Sequence, residues 1–365
     1  MKALLNDFSL PALVAGLLAT TISYAGPLVL IFHAAESAGL SQALLSSWVW
    51  AISIGSGALG LLLSLRYRTP VVIAWSIPGS ALLVGALPEL GLNQAIGAYL
   101  VANLILLLIA LSGSFDRLIA KLPGSIAAGL QAGILFAFGI EVFKALPEQP
   151  LLIASMFVTY LLLWRMAPRY AVAGVLLVGA ALTLLGGQLR SEALVLELAT
   201  PQWIVPEFSL TATLNLALPL VLVALTGQFM PGMAVLRGAG YQTPASPLIG
   251  ASAIGGALLA PFGCHGLNLA AVTASLCTGR EAHEDPKRRY VAAVVGSLAY
   301  LLLGIAGATL VSLFAAFPAA LRIGIAWSVQ QLDSITRTSR PGTATGSPST
   351  SRASRVTPAR SPTRS

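Results

Sequence analysis

His265 and Asn268 stand three positions apart in "APFGCHGLNLAAVTASLCTG", residues 260–279, inside an otherwise apolar stretch. A histidine, with a pKa of about 6.5, can exchange a proton at physiological pH. Asn268, one helical turn on if the stretch is helical, would orient that ring or a substrate carboxylate. The alternative is a neutral His265 bonded to a neighbouring helix. Gln228, in "GQFMPGMAVL" (227–236), and Tyr24, in "SYAGPLVLIF" (23–32), each precede a proline within an apolar run and can hydrogen-bond without bringing a charge. Trp75 and Phe262 offer flat apolar walls for a ring, or ordinary core packing. Gln131 is a weaker candidate, and Glu141 lies at the end of its segment near Lys144. Enzymatic signatures such as HExxH, a P-loop or CxxC are absent. "REAHEDPKRRY" (280–290) carries His283, Glu284 and Asp285, but among four basic residues it reads as a solvated turn and not a metal site.

These side chains need positioning elements, and the composition says which kind. Of 365 residues 56% are hydrophobic and 9% charged, against about 25% charged in soluble domains. So little charge cannot cover a water-facing surface, and the reading is an all-α polytopic membrane protein. The net charge of +8 is concentrated from Arg322 onward, where seven Arg face one Asp, so it is no sign of nucleic-acid binding. Cys264 and Cys277 lie 13 positions apart, about 20 Å along a helix and beyond disulfide reach. No short cleavable signal is expected, because the first apolar run is long enough to span.

A bilayer core requires about 20 apolar residues per helix. Runs of that kind fall near 10–32, 45–65, 70–87, 93–112, 123–143, 150–166 and 170–187, then 213–236, 245–260, 262–279 and 290–314, with a twelfth beginning at Pro318. With the N-terminus inside, inner loops hold twelve basic residues (Lys2, Arg66, Arg68, Arg117, Lys121, Arg165, Arg169, Arg237, Arg280, Lys287, Arg288 and Arg289). Outer loops hold only Lys144 and Arg190. That bias predicts a cytoplasmic N-terminus.

The chain also repeats itself. The pairs Pro27/Pro231, Pro70/Pro261 and Pro123/Pro318 recur in order at offsets of 204, 191 and 195. Seven spans per repeat would set the second copy upside down, with interrupted segments at the bilayer midplane. Residues 70–75 and 260–264 are expected to run extended, with helices starting near Ser76–Pro78 and His265–Gly266. Ser76 suits an N-cap and Pro78 a first turn. Two opposed helix N-termini would favour an anion.

"TPVVIAWSIPGSALL", "PGMAVLRGAGYQTP" and "PFGCHGLNLAAVTASLCTGREAHEDPKRRY" resemble the benzoate–proton symporter (BenE) family over roughly residues 5–320. The resemblance implies a bacterial inner-membrane importer of benzoate or a similar aromatic carboxylate, driven by protons and without a cofactor. It also implies a seven-plus-seven inverted-repeat, UraA-like fold with core and gate domains, pairing as a homodimer through the gates. In related nucleobase carriers, carboxylates in the eighth and tenth spans hold the substrate. Gln228 and His265 or Asn268 occupy that neighbourhood here, which suits an anion. The expected substrate-binding set is Tyr24, Trp75, Ser76, Pro78, Gly79, Gln228, Phe262, Cys264, His265, Gly266 and Asn268, with His265 as proton coupler.

The expected organisation is a first repeat at 1–187, an outer connection at 188–212, an incomplete second repeat at 213–321 and a disordered basic tail at 322–365. The tail's abrupt change to Ser, Thr, Arg and Pro suggests a shifted reading frame or an altered C-terminus. The alternatives to benzoate import are a nucleobase or inorganic-anion carrier of the same fold, a passive channel, or a transport-impaired product lacking spans 12–14.

Overall fold

Polar side chains turn inward and leucines outward. In the helix Gln42–Tyr67 (α4), Ser47, Ser53, Ser56 and Ser64 are fully buried while Leu62 and Leu65 are exposed. In Leu92–Leu111 (α6), Asn103 is buried while Leu104, Leu108 and Leu111 are exposed. This is the surface of a protein solvated by lipid. The structure, a computed structural model, describes residues 2–25, 27–121, 143, 146–167, 171–188, 194–318, 320–325 and 328. Among these, six helices are long and apolar enough to cross a membrane. Gln131, Glu141, Lys144 and the expected fifth span (123–143) fall largely or wholly outside the described residues.

A short helix, Lys2–Asp7 (α1), precedes Leu10–Ala25 (α2) and Pro27–Ser37 (α3), then α4. Strand Ile73–Trp75 (β1) leads into Ile77–Leu90 (α5), then α6, Phe115–Lys121 (α7), Pro150–Met166 (α8) and Ala171–Leu185 (α9). After an extended stretch comes the long span Leu210–Gly238 (α10), followed by Ala245–Leu259 (α11) and strand Leu267–Leu269 (β2). Val272–Thr278 (α12), Tyr290–Ile305 (α13) and Gly307–Ala316 (α14) complete the labelled elements.

α10 widens into π-helical turns at Thr213–Ala217 and Ala224–Phe229. Pro219 and Pro231 explain both. Each lacks an N–H and crowds the carbonyl four residues back, at Asn215 and Gly227. α2, α4 and α13 pack through small residues: any Cβ at Gly16 would collide with the Ala292 carbonyl, and Thr20 Oγ1 donates to the Gly296 carbonyl at 3.0 Å.

β1 and β2 pair antiparallel in the register Ile73↔Leu269, Ala74↔Asn268, Trp75↔Leu267. The ladder extends through Ala270 N–H to the Val72 carbonyl at 2.9 Å. A broken span strands backbone donors and acceptors at several kcal/mol each in hydrocarbon. Each interrupted segment here supplies partners for the other.

Three sequence expectations change. The second extended piece is 267–269 instead of 260–264, and its helix starts at Val272 instead of His265–Gly266. Pro261 sits in a 3₁₀ turn (Ala260–Phe262) that finishes α11, and Gly263 (φ 104°) turns the chain toward β2. Asn268 therefore lies on a strand and not one helical turn beyond His265. The run 290–314 is two helices, broken at Ala306. Helical backbone continues through residues 320–325, where Ile325 is buried and Arg322 pairs with Glu36 at 3.0 Å, so the irregular tail does not begin at 322.

The buried side chains form two clusters. The larger draws on α2–α6 and α10–α14. The smaller joins α8, α9 and residues 320–325, with Ile22 of α2 reaching into it. Residues 194–209 lie across the larger cluster as an extended strap. Ser47 Oγ accepts from Gln202 N–H at 2.8 Å, Ile204 N–H donates to the Pro261 carbonyl at 2.8 Å, and Glu207 N–H donates to the Asn93 carbonyl at 3.0 Å.

Candidate functional site

Where the two interrupted spans meet α2 and α10 lies a partly open cavity. Trp75, Ile77, Gln228 and Thr273 line it, with Ser23 and Pro27 opposite. Each lining element has a local reason for its place. Ser76, in extended conformation, caps α5 by accepting from Gly79 N–H at 3.0 Å, and Pro78 occupies the first turn. That turn rests against α10 at Gly227, where a Cβ would meet Pro78 at 3.4 Å. Gln228 follows directly, in the second wide turn of α10, so its side chain projects from a segment whose backbone is already loosened.

The polar inventory of this cavity is short and neutral. Gln228 is 8% exposed and makes no hydrogen bond among the described residues; the Thr273 hydroxyl is buried without a partner. Trp75 Nε1 is a buried donor also lacking an acceptor. No Asp or Glu among the described residues is buried. The first-turn amides of α12 have no capping side chain. Such a lining presents donors and dipoles, and no fixed negative charge, to whatever enters.

Trp75 is held by an aromatic group. Its ring meets Tyr24 edge-on at 5.2 Å and Tyr300 at 5.9 Å, and Tyr24 meets Tyr300 at 5.4 Å. Tyr24 OH donates to Ser53 Oγ at 2.5 Å. Tyr24 thus stands behind the cavity wall and supports it.

The remaining sequence candidates separate into two places. Cys264, His265, Gly266 and Asn268 are buried one layer behind the cavity, on the approach to and within β2. His265 accepts at Nδ1 from Trp48 Nε1–H at 3.1 Å, and its Nε2 lies 3.1 Å from Ser80 Oγ. Asn268 Oδ1 has no partner. Phe262 is elsewhere, packed between Trp50 (5.6 Å) and Trp203 (5.4 Å) beneath the strap. The reason is the shifted break: Phe262 belongs to the end of α11 and not to the edge of the second gap. Both cysteines are buried and free. His283 accepts from Asp285 N–H at 2.9 Å, and no cluster of three metal-ligating side chains exists among the described residues.

Sequence reasoning missed Thr273 and Ser23. Thr273 is a polar residue in the first turn after an extended piece, a signal that becomes visible only once the helix start is placed at Val272.

Comparison with known proteins agrees over most of the chain. The family model described as benzoate membrane transport protein matches residues 6–337. A benzoate membrane transport protein of Acinetobacter baylyi is 46% identical over 318 residues, covering 87% of this chain and 81% of its own length. The inner membrane protein YdcO of Escherichia coli is 40% identical over 308 residues, 84% of this chain and 79% of that one. In fold, the chain is similar to the transmembrane domain of a cyanobacterium bicarbonate transporter, BicA. The TM-score is 0.61 at 14% identity, over 92% of this chain and 91% of that one.

Proposed function

Because the chain belongs to the benzoate membrane transport protein family, we propose that it imports benzoate or a close aromatic carboxylate by proton symport across a bacterial inner membrane, with its N-terminus cytoplasmic. The substrate sits in the cavity between the two interrupted spans. Its ring lies against Trp75, and its carboxylate takes hydrogen bonds from the Gln228 amide and the Thr273 hydroxyl. The N-terminal end of α5, at Ile77 beside the cavity, adds roughly half a positive charge.

The observation that carries this reading is the unpaired, neutral polar lining. The Thr273 hydroxyl, buried without a partner, costs free energy unless a ligand completes it, the Gln228 amide beside it has no partner among the described residues, and a lining free of carboxylates admits an anion. The cross-paired β1 and β2 support two inverted repeats of seven spans, with the larger cluster as core and the smaller as gate. Pairing of two copies through the gate belongs to the same reading.

Benzoate calorimetry on the purified full chain tests it. Saturable heat is expected, with affinity falling about tenfold in Gln228→Ala and in Thr273→Val, each equivalent to about 1.4 kcal/mol. A folded sample that gives no heat overturns the reading and directs attention to nucleobases and inorganic anions.

A further inference from the structure

Donor and acceptor roles around His265 have a single solution. An indole N–H can only donate, so the 3.1 Å contact from Trp48 Nε1 requires a bare lone pair on His265 Nδ1. The neutral ring then carries its proton on Nε2, 3.1 Å from Ser80 Oγ. Ser80 can receive it, because its own hydroxyl donates to the Ser76 carbonyl at 2.9 Å. The chain runs Trp48 to His265 to Ser80 to Ser76, and ends on the residue that caps α5.

We propose that His265 is a positioning residue, locked as the Nε2–H tautomer to brace the first turn of α5 against α4, and that it does not carry the coupled proton. The part about coupling rests on the symport reading above; the part about the tautomer does not. A proton on Nδ1 would have to expel the Trp48 donor. Of the groups around the ring only the Ser76 carbonyl favours a charge, and no charged side chain among the described residues faces it. The groups facing it are Trp48 of α4, Ser80 of α5 and Tyr99 of α6, whose ring centroid lies 6.3 Å away, with Cys264 next in the chain. No carboxylate among the described residues is buried.

The brace matters because of what the same turn touches on its other side. Pro78 abuts Gly227, directly before Gln228, and Ile77 lines the cavity. Slack in this turn displaces the cavity wall without removing any group that contacts the ligand.

Nitrogen-15 NMR of the full chain labelled at histidine reads the tautomer. The protein has three histidines, and His33→Gln and His283→Gln assign the signals. His265 is expected to keep a bare Nδ1 from about pH 5 to pH 8, the range in which an ordinary histidine titrates. Trp48→Phe, which removes the competing donor, is expected to introduce a titration absent from the parent. A His265 ring protonated in that range in the parent overturns the proposal.

Transport in proteoliposomes supplies the second readout. His265→Gln offers one donor and one acceptor and cannot titrate. It is expected to keep uptake driven by the proton gradient, with benzoate affinity within about threefold of the parent, while His265→Ala weakens binding about tenfold. Binding retained in His265→Gln with gradient-driven accumulation lost overturns the proposal. Parent uptake indifferent to the gradient would instead overturn the symport reading, and the tautomer spectrum would still decide this one.

Discussion

The indole of Trp48 and the imidazole of His265 are 217 positions apart in the chain and joined by a 3.1 Å hydrogen bond in the interior. Gly263 makes that approach possible. Its φ of 104° belongs to glycine, and a Cβ there would press on Trp48 at 3.0 Å.

Trp48→Phe keeps most of the packing and deletes the donor, leaving Nδ1 of a buried ring without its partner. A loss of about 1–3 kcal/mol is expected, read as a lower melting temperature in detergent. A melting temperature equal to the parent's would show that the bond contributes nothing.

Ser76→Ala removes the oxygen that accepts from Gly79 N–H. The expected cost is about 1 kcal/mol, roughly a fivefold rise in local opening. Hydrogen exchange should quicken at the first turn of α5 and not along α4. Uniform exchange across both helices would contradict a local capping role.

Gly97 of α6 lies so close to the Glu207 carbonyl that any side chain there pushes the strap away. Gly97→Val should destabilise the protein by about 1–3 kcal/mol and open residues 194–209 to protease. If the strap stays protected, its contact with α6 is not what holds it.

Arg289 is 7% exposed, and its guanidinium donates to the carbonyls of His283 at 2.7 Å, Thr278 at 2.8 Å and Glu284 at 3.1 Å. Arg289→Met frees all three, and a loss of at least about 2 kcal/mol is expected. Arg289→Lys recovers only part, because one ammonium cannot reach three diverging acceptors. Thermal melting and cleavage within 280–288 are the readouts; equal behaviour of the Lys and Met variants would argue against a fork-specific role.

Much of the architecture was legible because lipid imposes a simple rule of length and apolarity. The first interruption was legible to the residue, since Ser76 and Pro78 carry the chemical marks of a helix start. The second was not, because Pro261 and Gly263 mark the end of α11, while the true start at Val272 follows an uncapped Ala271 that announces nothing. Its position is set by pairing with β1, a contact between distant segments that local sequence does not encode. The same blindness put Phe262 at the cavity and left Thr273 out. The place of Gln228 in the cavity lining was legible, an amide before a proline in an apolar run. Tyr24, in the matching place, turns to Ser53 instead. The helical continuation at 320–325 was hidden by the charged Arg322, whose cost is offset by Glu36 and by the face of Phe32 at 5.5 Å.

The ladder between β1 and β2 also limits how the proposed seat for benzoate can be emptied. Parting the two strands would leave buried amides and carbonyls without partners, at several kcal/mol for each group kept from water. The two walls of the proposed seat are therefore stitched into one plank, and on the core-and-gate reading proposed above access from either side of the bilayer changes by the smaller cluster sliding past it. A covalent tie between β1 and β2 should leave import running, whereas a tie between Ile22 and the helices it touches in the other cluster should stop it.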